Sequence, residues 1–343
     1  MLEKPNLPDS RIVDCLRTDY GLDAVRLSFL PLGADRDTAV YRAVTGDATP
    51  YFVKLRRGDF DETTVIVPRL LGDLGIRQII APLFTRSNRL WASLDPFRLT
   101  VSPYVDGLNG YEVELHDHHW VDFGRALKAV HTAVMPSTVI ERIPRENYSA
   151  QWRERVRHFQ ALIDTTTFSD PVAAELAAFL RRQHRIVSEL VSRAERLASF
   201  LQTRSLPFIL CHADIHAGNI LIDTSGQLYI VDWDTLILAP KERDLMYVGG
   251  GLFGGRRSPQ EEEALFYQGY GQVAVDPVAL AYYRYERIVQ DIAAYCEQIL
   301  LTDEGGADRQ EGLRQLTGQF EPHAVIDVAF QSEARLPPEF RPQ

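Results

Sequence analysis

One short segment constrains this chain more than any other, because it places a histidine, an aspartate and an asparagine at a fixed spacing. His212, Asp214 and Asn219 form the pattern H-x-D-x-x-x-x-N, and Asp232 follows Asn219 by thirteen residues. A short buried strand is predicted before the pattern, and a β-hairpin that ends at Asp232 is predicted after it. The sequence therefore predicts a cluster of reactive side chains between two strands.

The spacing is that of a kinase catalytic loop, in which an aspartate receives the proton of the acceptor hydroxyl and an asparagine binds magnesium. Asp214 is the candidate for the first role. Asn219 and Asp232 supply oxygen ligands of the kind that Mg²⁺ prefers. Together these residues predict phosphoryl transfer, with ATP and Mg²⁺ as cofactors.

Residues upstream of this pattern are candidates for binding the nucleotide. Lys54 lies on a predicted strand and would hold the α- and β-phosphates as a point charge. Glu62 is the candidate carboxylate that fixes Lys54. A turn predicted over 33–38, which includes Gly33 and Asp35, would fold its backbone amides over the phosphates. No G-x-x-x-x-G-K-[ST] pattern occurs, which excludes a P-loop enzyme.

The order of predicted elements divides the chain into two lobes. Residues 1–103 contain alternating apolar positions typical of strands, with one or two helices among them. Residues 104–343 have apolar positions mostly at helical spacing. We therefore expect an α+β fold with a β-rich N-terminal lobe for nucleotide and a mostly helical C-terminal lobe for catalysis and substrate binding.

Local signals predict where three helices begin. Pro68 interrupts the helix predicted over 64–74, and we expect it in the first turn, where a missing N–H costs nothing. Ser258 precedes Pro259 and has a glutamate three residues later, which is a capping box. Asp276 followed by proline predicts the start of a long helix that reaches about residue 300.

Composition and charge narrow the kinds of partner. Hydrophobic residues make up 45% of the chain and charged residues 24%, which is ordinary for a globular protein, and no apolar run is long enough to cross a membrane. The net charge of −10 argues against nucleic acid as the main partner. The first 103 residues carry 14 basic and 13 acidic side chains, so the excess acidity lies in the remainder. That acidity would attract a small cationic substrate, or it only solvates the surface.

The cysteines and the N-terminus bear on the compartment. Cys15, Cys211 and Cys296 are an odd number without metal-like spacing, and the first residues lack the features of a signal peptide. These observations favour a reducing cytoplasm. We expect a monomer or a weak dimer there.

The sequence also allows other interpretations of this region and of residues 249–254. Cys211 beside His212 could suggest a thiol nucleophile, but neighbours in a strand point to opposite faces, so Cys211 is predicted to lie in the core. His212, Asp214 and His216 could bind a metal in a hydrolase, although further ligands are not evident. Residues 249–254 match G-x-G-x-x-G without a preceding strand, which favours a flexible loop over a dinucleotide site.

The segments 208–221 (FILCHADIHAGNIL) and 230–234 (IVDWD) resemble the aminoglycoside phosphotransferase family. Residues 243–245 (RDL) and 124–131 (GRALKAVH) resemble the same family, and the resemblance covers nearly the whole chain. It implies a two-lobed, protein-kinase-like fold and an ATP-dependent transfer to a hydroxyl of an aminoglycoside or aminocyclitol antibiotic. Choline, homoserine and methylthioribose kinases share this fold, so the motif fixes the reaction better than the acceptor.

Four further segments resemble the spectinomycin phosphotransferases, namely 67–71 (VPRLL), 89–92 (RLWA), 106–111 (DGLNGY) and 282–287 (YYRYER). Spectinomycin is therefore the first candidate acceptor. The turn over 33–38 departs from a kinase glycine-rich loop because it has a single glycine.

The same resemblance implies further contacts. Adenine would lie against the segment of Ser102, Tyr104 and Val105, and the acceptor would lie among acidic and aromatic side chains of the C-terminal lobe. The candidate substrate contacts are Asp234, Glu286 and Asp291. A salt-bridged helix face explains the last two equally well.

Three functional hypotheses follow. The first is an antibiotic O-phosphotransferase, and the second is a metabolic small-molecule kinase of the same fold that acts on a sugar or an amino-alcohol. The third is a nucleotide-binding pseudokinase that acts through partner proteins. The presence of Lys54, Asp214, Asn219 and Asp232 counts against the third.

Overall fold

The computed structural model describes residues 3–32, 37–302 and 305–340. The chain forms two compact units, each assembled from several segments. Unit 1 contains residues 1–113, 132–143 and 218–236, and unit 2 contains residues 114–131, 144–217 and 237–343. The hairpin segment with Asn219 and Asp232 thus belongs to unit 1, whereas Asp214 belongs to unit 2. The predicted division into lobes at residue 103 assigned both parts of the motif to one lobe.

The described strands are short to medium in length. They are β1 (Ala24–Leu30), β2 (Thr38–Thr45), β3 (Pro50–Arg57), β4 (Ala92–Leu94), β5 (Phe97–Pro103), β6 (Gly107–Asn109), β7 (Ile209–Cys211), β8 (Ile220–Asp223), β9 (Leu228–Ile230) and β10 (Ile237–Ala239).

The described α-helices are more numerous after residue 113. They are α1 (Asp9–Cys15), α2 (Thr63–Asp73), α3 (Asp117–Thr132), α4 (Ser137–Ile140), α5 (Gln151–Thr165), α6 (Pro171–Arg182), α7 (His184–Leu201), α8 (Glu242–Leu245), α9 (Pro259–Tyr270), α10 (Pro277–Leu300), α11 (Gly306–Gly318) and α12 (Val325–Gln331). A π-helical turn covers Leu16–Tyr20, and 3₁₀ turns cover Ala217–Asn219, Ser332–Arg335 and Pro338–Phe340.

Unit 1 is built on a five-stranded antiparallel sheet. Its strands lie in the order β1-β2-β3-β5-β4. Strand β5 shows why the sheet forms: Phe97, Leu99 and Val101 are buried, while the residues between them are more exposed. This period of two gives each strand one apolar face. Ile12 and Cys15 of α1 belong to the same hydrophobic core as those faces.

A second, three-stranded sheet in unit 1 has the order β6-β8-β9. The pair β8-β9 is the hairpin that the sequence predicted. Gly107 of β6 pairs with Asp223 at the edge of β8, and a Cβ at this position would collide with the carbonyl of Ile222. Glycine therefore permits the close approach of the two strands.

Helix α2 corrects one expectation about unit 1. Pro68 lies inside the helix, five residues after Thr63, and not in its first turn. Because proline has no N–H, the helix lacks the bond to the carbonyl of Thr64 at this point. Pro68 is buried, as is Leu71 on the same side of the helix, so packing holds the helix together across the interruption.

Unit 2 is mostly helical and is organised around α10. Asp276 caps this helix by accepting hydrogen bonds from the backbone N–H groups of Val278 and Ala279, which confirms the predicted start. Side chains along its whole length are buried, and α5, α6, α7, α8, α11 and α12 all contact it. Helix α9 begins at the predicted capping box of Ser258 and Glu261.

Helices α3 and α9 of unit 2 cross at two glycines. A Cβ at Gly124 of α3 would meet the carbonyl of Phe266, and one at Gly269 of α9 would meet the carbonyl of Val121. Each helix therefore lacks a side chain where the backbone of the other approaches.

Together, the antiparallel sheets of unit 1 and the helices of unit 2 confirm the predicted α+β class. No helix among the described residues combines the length and the apolar character needed to cross a membrane.

Candidate active site

In unit 1, four charged side chains form what we call the Lys54 cluster: Lys54, Arg56, Asp232 and Asp234. The Nζ of Lys54 donates to Oδ1 of Asp232 at 2.9 Å and to Oδ2 of Asp234 at 2.8 Å. Arg56 Nη1 donates to the same Oδ2 of Asp234 at 2.7 Å. Lys54 and Arg56 are two residues apart on β3, so both side chains leave the same face of the sheet.

The sequence around Asp232 explains how its carboxylate comes to this position. Strand β9 ends at Ile230, and Asp232 has a φ of 63°, a left-handed conformation that is strained for a residue with a side chain. The N–H of Val231 donates to the carbonyl of Asn219 at 3.0 Å. This bond brings the two candidate metal ligands, Asn219 and Asp232, to adjacent positions of the hairpin.

The two carboxylates determine the charge of Lys54. Burial alone lowers the pKa of Lys54, but the charges of Asp232 and Asp234 and their hydrogen bonds outweigh burial and raise it. Lys54 is therefore a protonated ammonium throughout the physiological range. A fixed cation of this kind is suited to phosphate oxygens.

The prediction that Glu62 fixes Lys54 is wrong. Glu62 accepts hydrogen bonds from Trp91 Nε1 at 3.0 Å and from Arg142 Nη2 at 2.8 Å. The hydrogen bond from Arg142, followed by that from Trp91, lowers the pKa of Glu62. Glu62 precedes α2, where the interior proline obscured the helical phase in the sequence, and the carboxylates that hold Lys54 come from beyond β9 instead.

Strand β5 carries the segment that was predicted to contact adenine. Ser102 pairs with Phe52 of β3, two residues before Lys54, and the N–H of Tyr104 donates to the carbonyl of Pro50 at 3.3 Å. Ser102 and Tyr104 therefore lie beside the strand that bears Lys54, and Val105 follows them directly in the sequence. Gly33 and Asp35, the other predicted nucleotide contacts, lie outside the described residues.

In unit 2, a buried carboxylate shapes the loop that carries Asp214. Asp244 Oδ2 accepts the backbone N–H of His212 at 2.9 Å, and Oδ1 accepts that of Ala213 at 2.7 Å. His131 Nε2 lies 2.9 Å from Oδ2. Burial raises the pKa of Asp244, but His131 and the backbone donors outweigh burial and lower it. Ala213 has a φ of 68°, so the carboxylate fixes a strained turn directly before Asp214.

In the sequence, Asp244 was noted only because residues 243–245 resemble the aminoglycoside phosphotransferase family, and no role was predicted for it. Its neighbourhood also contains Cys211, and ligand atoms of His131, Cys211 and Asp244 lie within 4.8 Å of one another. Hydrogen bonds account for all three side chains: His131 Nδ1 lies 2.7 Å from the hydroxyl of Tyr270, and the Cys211 thiol donates to the carbonyl of Ala239. Cys211 is fully buried, which confirms the predicted core position, and burial raises the pKa of its thiol.

Asp214 itself belongs to a second charged group, the Arg287 cluster, formed by Asp214, Tyr247, Arg287 and Asp291. Arg287 Nη1 donates to Oδ1 of Asp214 and, at 2.9 Å, to the hydroxyl of Tyr247. Arg287 Nε donates to Oδ1 of Asp291 at 2.9 Å. Burial raises the pKa of Asp214, but the charge of Arg287, supported by His216 at 3.7 Å, outweighs burial and lowers it. Asp214 is thus ionised at neutral pH.

The three predicted substrate contacts have different outcomes. The prediction for Glu286 is wrong, because its carboxylate is buried and forms an ion pair with Arg153 at 2.5 Å. Asp234 lies on Lys54 and Arg56, on the side of the candidate phosphate ligands. Asp291 is linked to Asp214 through Arg287, whose guanidinium donates to both carboxylates.

Each of the two clusters offers a different chemistry. The Lys54 cluster offers a permanent cation and carboxylate oxygens, and the Arg287 cluster offers an ionised aspartate. The first set suits a polyphosphate with its metal, and the second suits a hydroxyl that must lose a proton. With a β-rich unit and a helical unit, these groups define the class of kinase-like phosphotransferases.

Comparisons with known proteins identify the family. Residues 28–283 match the model of the phosphotransferase enzyme family. The crystal structure of a spectinomycin phosphotransferase in complex with ADP and spectinomycin has a TM-score of 0.88 and 35% sequence identity, and the match covers 96% of this chain and 99% of that chain. An AMP-bound complex of a spectinomycin phosphotransferase has a TM-score of 0.82 and 34% identity, with coverage of 94% and 98%.

Curated relatives match over shorter stretches. The protein StrN of Streptomyces griseus is 27% identical over 226 residues, which is 64% of this chain and 67% of that protein. A protein of Metamycoplasma hominis is 29% identical over 93 residues, and the chain spans only 17% of its length.

The chain therefore belongs to the aminoglycoside phosphotransferase family. It is a phosphotransferase enzyme with the kinase-like two-lobed fold that the sequence predicted.

Proposed function

We propose that this enzyme transfers the γ-phosphoryl group of Mg·ATP to a hydroxyl of spectinomycin or a closely similar aminocyclitol. One observation carries the proposal: 35% identity over 96% of the chain to a spectinomycin phosphotransferase that was crystallised with ADP and spectinomycin.

Asp214 is the proposed catalytic residue. Its carboxylate would accept a hydrogen bond from the acceptor hydroxyl and take the proton. The lowered pKa keeps Asp214 ionised at neutral pH, so the carboxylate can accept the proton of the hydroxyl. In a loose transition state, orientation of the hydroxyl contributes more than early deprotonation.

Lys54 is the proposed ligand of the α- and β-phosphates, with Ser102, Tyr104 and Val105 beside the adenine. Asp234 orients Lys54, in the role first expected of Glu62. Gly33 and Asp35 remain predicted phosphate contacts.

Asn219 and Asp232 are the proposed ligands of Mg²⁺. The donor set fits this ion, because an amide and a carboxylate are hard oxygen ligands and the Asp232 side chain is 49% exposed. When bound, Mg²⁺ would neutralise charge on the β- and γ-phosphates.

The remaining expectations concern surroundings and assembly. Three free, buried cysteines at positions 15, 211 and 296 are compatible with a reducing cytoplasm. We retain a monomer or weak dimer as the proposed state, and Asp291 as a proposed contact of the amines of the acceptor. The excess of acidic side chains beyond residue 103 favours a cationic acceptor.

The test is ADP release from Mg·ATP across a panel of acceptors headed by spectinomycin, followed by identification of the phosphorylated product. Asp214→Asn should reduce turnover by about 1,000-fold or more, because no carboxylate remains to take the proton of the substrate hydroxyl. Asp164→Asn, at an exposed position of α5, is the matched control and should retain full turnover.

Two results would contradict the proposal. Full activity of Asp214→Asn would remove the catalytic assignment. Turnover with choline, homoserine or a sugar, and none with aminocyclitols, would replace the antibiotic acceptor with a metabolic one.

A further inference from the structure

Arg287 occupies an unusual position for a side chain that sequence patterns did not single out. Its guanidinium lies between the carboxylates of Asp214 and Asp291, and it contacts both while 17% of the side chain is exposed. Two different nitrogens make these contacts: Nη1 bonds to Asp214, and Nε bonds to Asp291. A planar guanidinium can span two acceptors in this way, whereas an ammonium is a point charge without a fixed direction.

Several bonds fix Arg287 from the side opposite Asp214. Arg287 and Asp291 lie one helical turn apart on α10, and Gln319 Nε2 donates to Oδ2 of Asp291 at 2.9 Å. The guanidinium cannot rotate away without breaking its bond to this anchored carboxylate. Helix α10 thereby determines the direction in which Nη1 points.

The loop that carries Asp214 is tied to the same guanidinium. The hydroxyl of Tyr247 accepts from Arg287 Nη1 at 2.9 Å and donates to the carbonyl of Ala213 at 2.7 Å. One nitrogen of Arg287 therefore reaches both the carboxylate of Asp214 and, through Tyr247, the backbone of the preceding residue. These contacts restrict both the side-chain rotamer and the backbone of Asp214.

We propose that Arg287 is a positioning residue for phosphoryl transfer: it holds one oxygen of Asp214 so that the carboxylate keeps a single orientation toward the acceptor hydroxyl, and Asp291 and Gln319 hold Arg287. The inference rests on the proposed catalytic role of Asp214. A misplacement of about 1 Å at a reacting group costs on the order of 100-fold in rate. Loss of Arg287 is therefore expected to lower kcat more than nucleotide affinity.

The experiment compares Arg287→Ala with Arg287→Lys and with a matched control, Arg193→Ala. Arg193 is also in unit 2, is 15% exposed, and pairs with two carboxylates, Glu189 and Glu333, so its removal disturbs a similar ion network. The measurements are kcat with Mg·ATP and spectinomycin, the affinity for ADP by calorimetry, and rescue by guanidinium chloride at millimolar concentration.

For Arg287→Ala we expect kcat to fall about 100-fold while ADP affinity stays within about twofold. Guanidinium should restore part of kcat by occupying the space left by the side chain. Arg287→Lys should be intermediate, since it keeps the charge and loses the two-directional contact. Arg193→Ala should keep kcat within about twofold and show no rescue.

Three results would overturn the inference: kcat of Arg287→Ala within about twofold of the wild type, no rescue by guanidinium, or an equal loss of kcat in Arg193→Ala. If the wild type phosphorylates no acceptor, the proposed acceptor fails and the inference is judged on ATP hydrolysis by water. Arg287→Ala should then slow hydrolysis and guanidinium should restore it, and unchanged hydrolysis would overturn the inference.

Discussion

In the Lys54 cluster and in the Arg287 cluster alike, the named cation lies between two aspartates, yet the two clusters differ in exposure and in the geometry of that cation. In the Lys54 cluster the Asp232 side chain is 49% exposed, and its partner is an ammonium that bonds in any direction. In the Arg287 cluster the Asp214 side chain is 22% exposed, and its partner is a planar guanidinium anchored on Asp291. The same arrangement of charges is thus more exposed and less directional in unit 1 than in unit 2.

The largest effect on stability is expected from loss of the Asp244 carboxylate, which holds the loop that carries Asp214. In Asp244→Asn an amide N–H₂ replaces one of two oxygens that both accept hydrogen bonds, so a donor meets the N–H of His212 or Ala213. We expect a loss of about 4 kcal/mol in the free energy of unfolding, measured with urea.

The control for this variant is Asp122→Asn, which removes an exposed carboxylate paired with Arg125 on α3. It should change the free energy of unfolding by less than about 0.5 kcal/mol. Equal stability of the two variants would show that the buried carboxylate does not hold the loop.

Lys54→Met tests the Lys54 cluster. The variant keeps much of the apolar stem and removes the cation, so the phosphates lose a charged ligand. We expect kcat/KM for ATP to fall about 100-fold. Steady-state kinetics with varied ATP measures this, and Lys4→Met, at an exposed lysine paired with Asp9, should behave as wild type. An unaltered kcat/KM in Lys54→Met would assign the phosphates to other residues.

A pH-dependent effect is expected at Glu262, which accepts the backbone N–H of Gly249 at 2.9 Å. Burial raises the pKa of Glu262 to about 7, although the N–H of Gly249 and the charges of Arg284 and Arg257 lower it, while Glu263 raises it further. The folded protein therefore binds a proton that the unfolded chain releases near pH 4.5, and stability falls as the pH rises between these two values.

Glu262→Gln is neutral at every pH and retains a carbonyl for the N–H of Gly249. It should therefore gain about 2 kcal/mol over the wild type above pH 7 and nothing below pH 4.5. Thermal melts of both proteins at several pH values measure the difference. A constant difference across this range would mean that Glu262 titrates as an ordinary surface glutamate.

The smallest effect is expected at Glu62. Because Glu62 binds Trp91 and Arg142, Glu62→Gln should leave KM for ATP within about twofold. Asp234→Asn, which removes a carboxylate on Lys54, should raise KM for ATP clearly above that of Glu62→Gln. If the two variants rank in the opposite order, Glu62 and not Asp234 orients Lys54 during the reaction.

Local signals in the sequence predicted much of the fold. Alternating apolar residues located the strands of the first hundred residues, and caps at Ser258 and Asp276 located two helix starts, because these patterns depend on near neighbours. Pro68 was misplaced because its burial inside α2 offsets the missing hydrogen bond, which only tertiary packing can do.

The site was predicted less completely. Asp214, Asn219 and Asp232 stand at recognisable spacings, but the partners of Asp214 and Lys54 are distant in sequence: Arg287 is 73 residues from Asp214, and Asp234 is 180 from Lys54. Glu286 was chosen in place of its neighbour Arg287, although consecutive residues of a helix point about 100° apart. Which of the two faces the catalytic loop depends on how α10 is rotated, and composition does not determine that.

Helix α10 has a consequence for how this enzyme can evolve. On helix α10, the residues before and after Arg287 include the buried side chains of Tyr283, Tyr285 and Val289. A substitution that adjusts the direction of the arginine therefore also disturbs the packing of a helix that six others contact. Most substitutions in this helix are therefore expected to destabilise the fold, so a change of acceptor should be reached more readily by substitutions away from it.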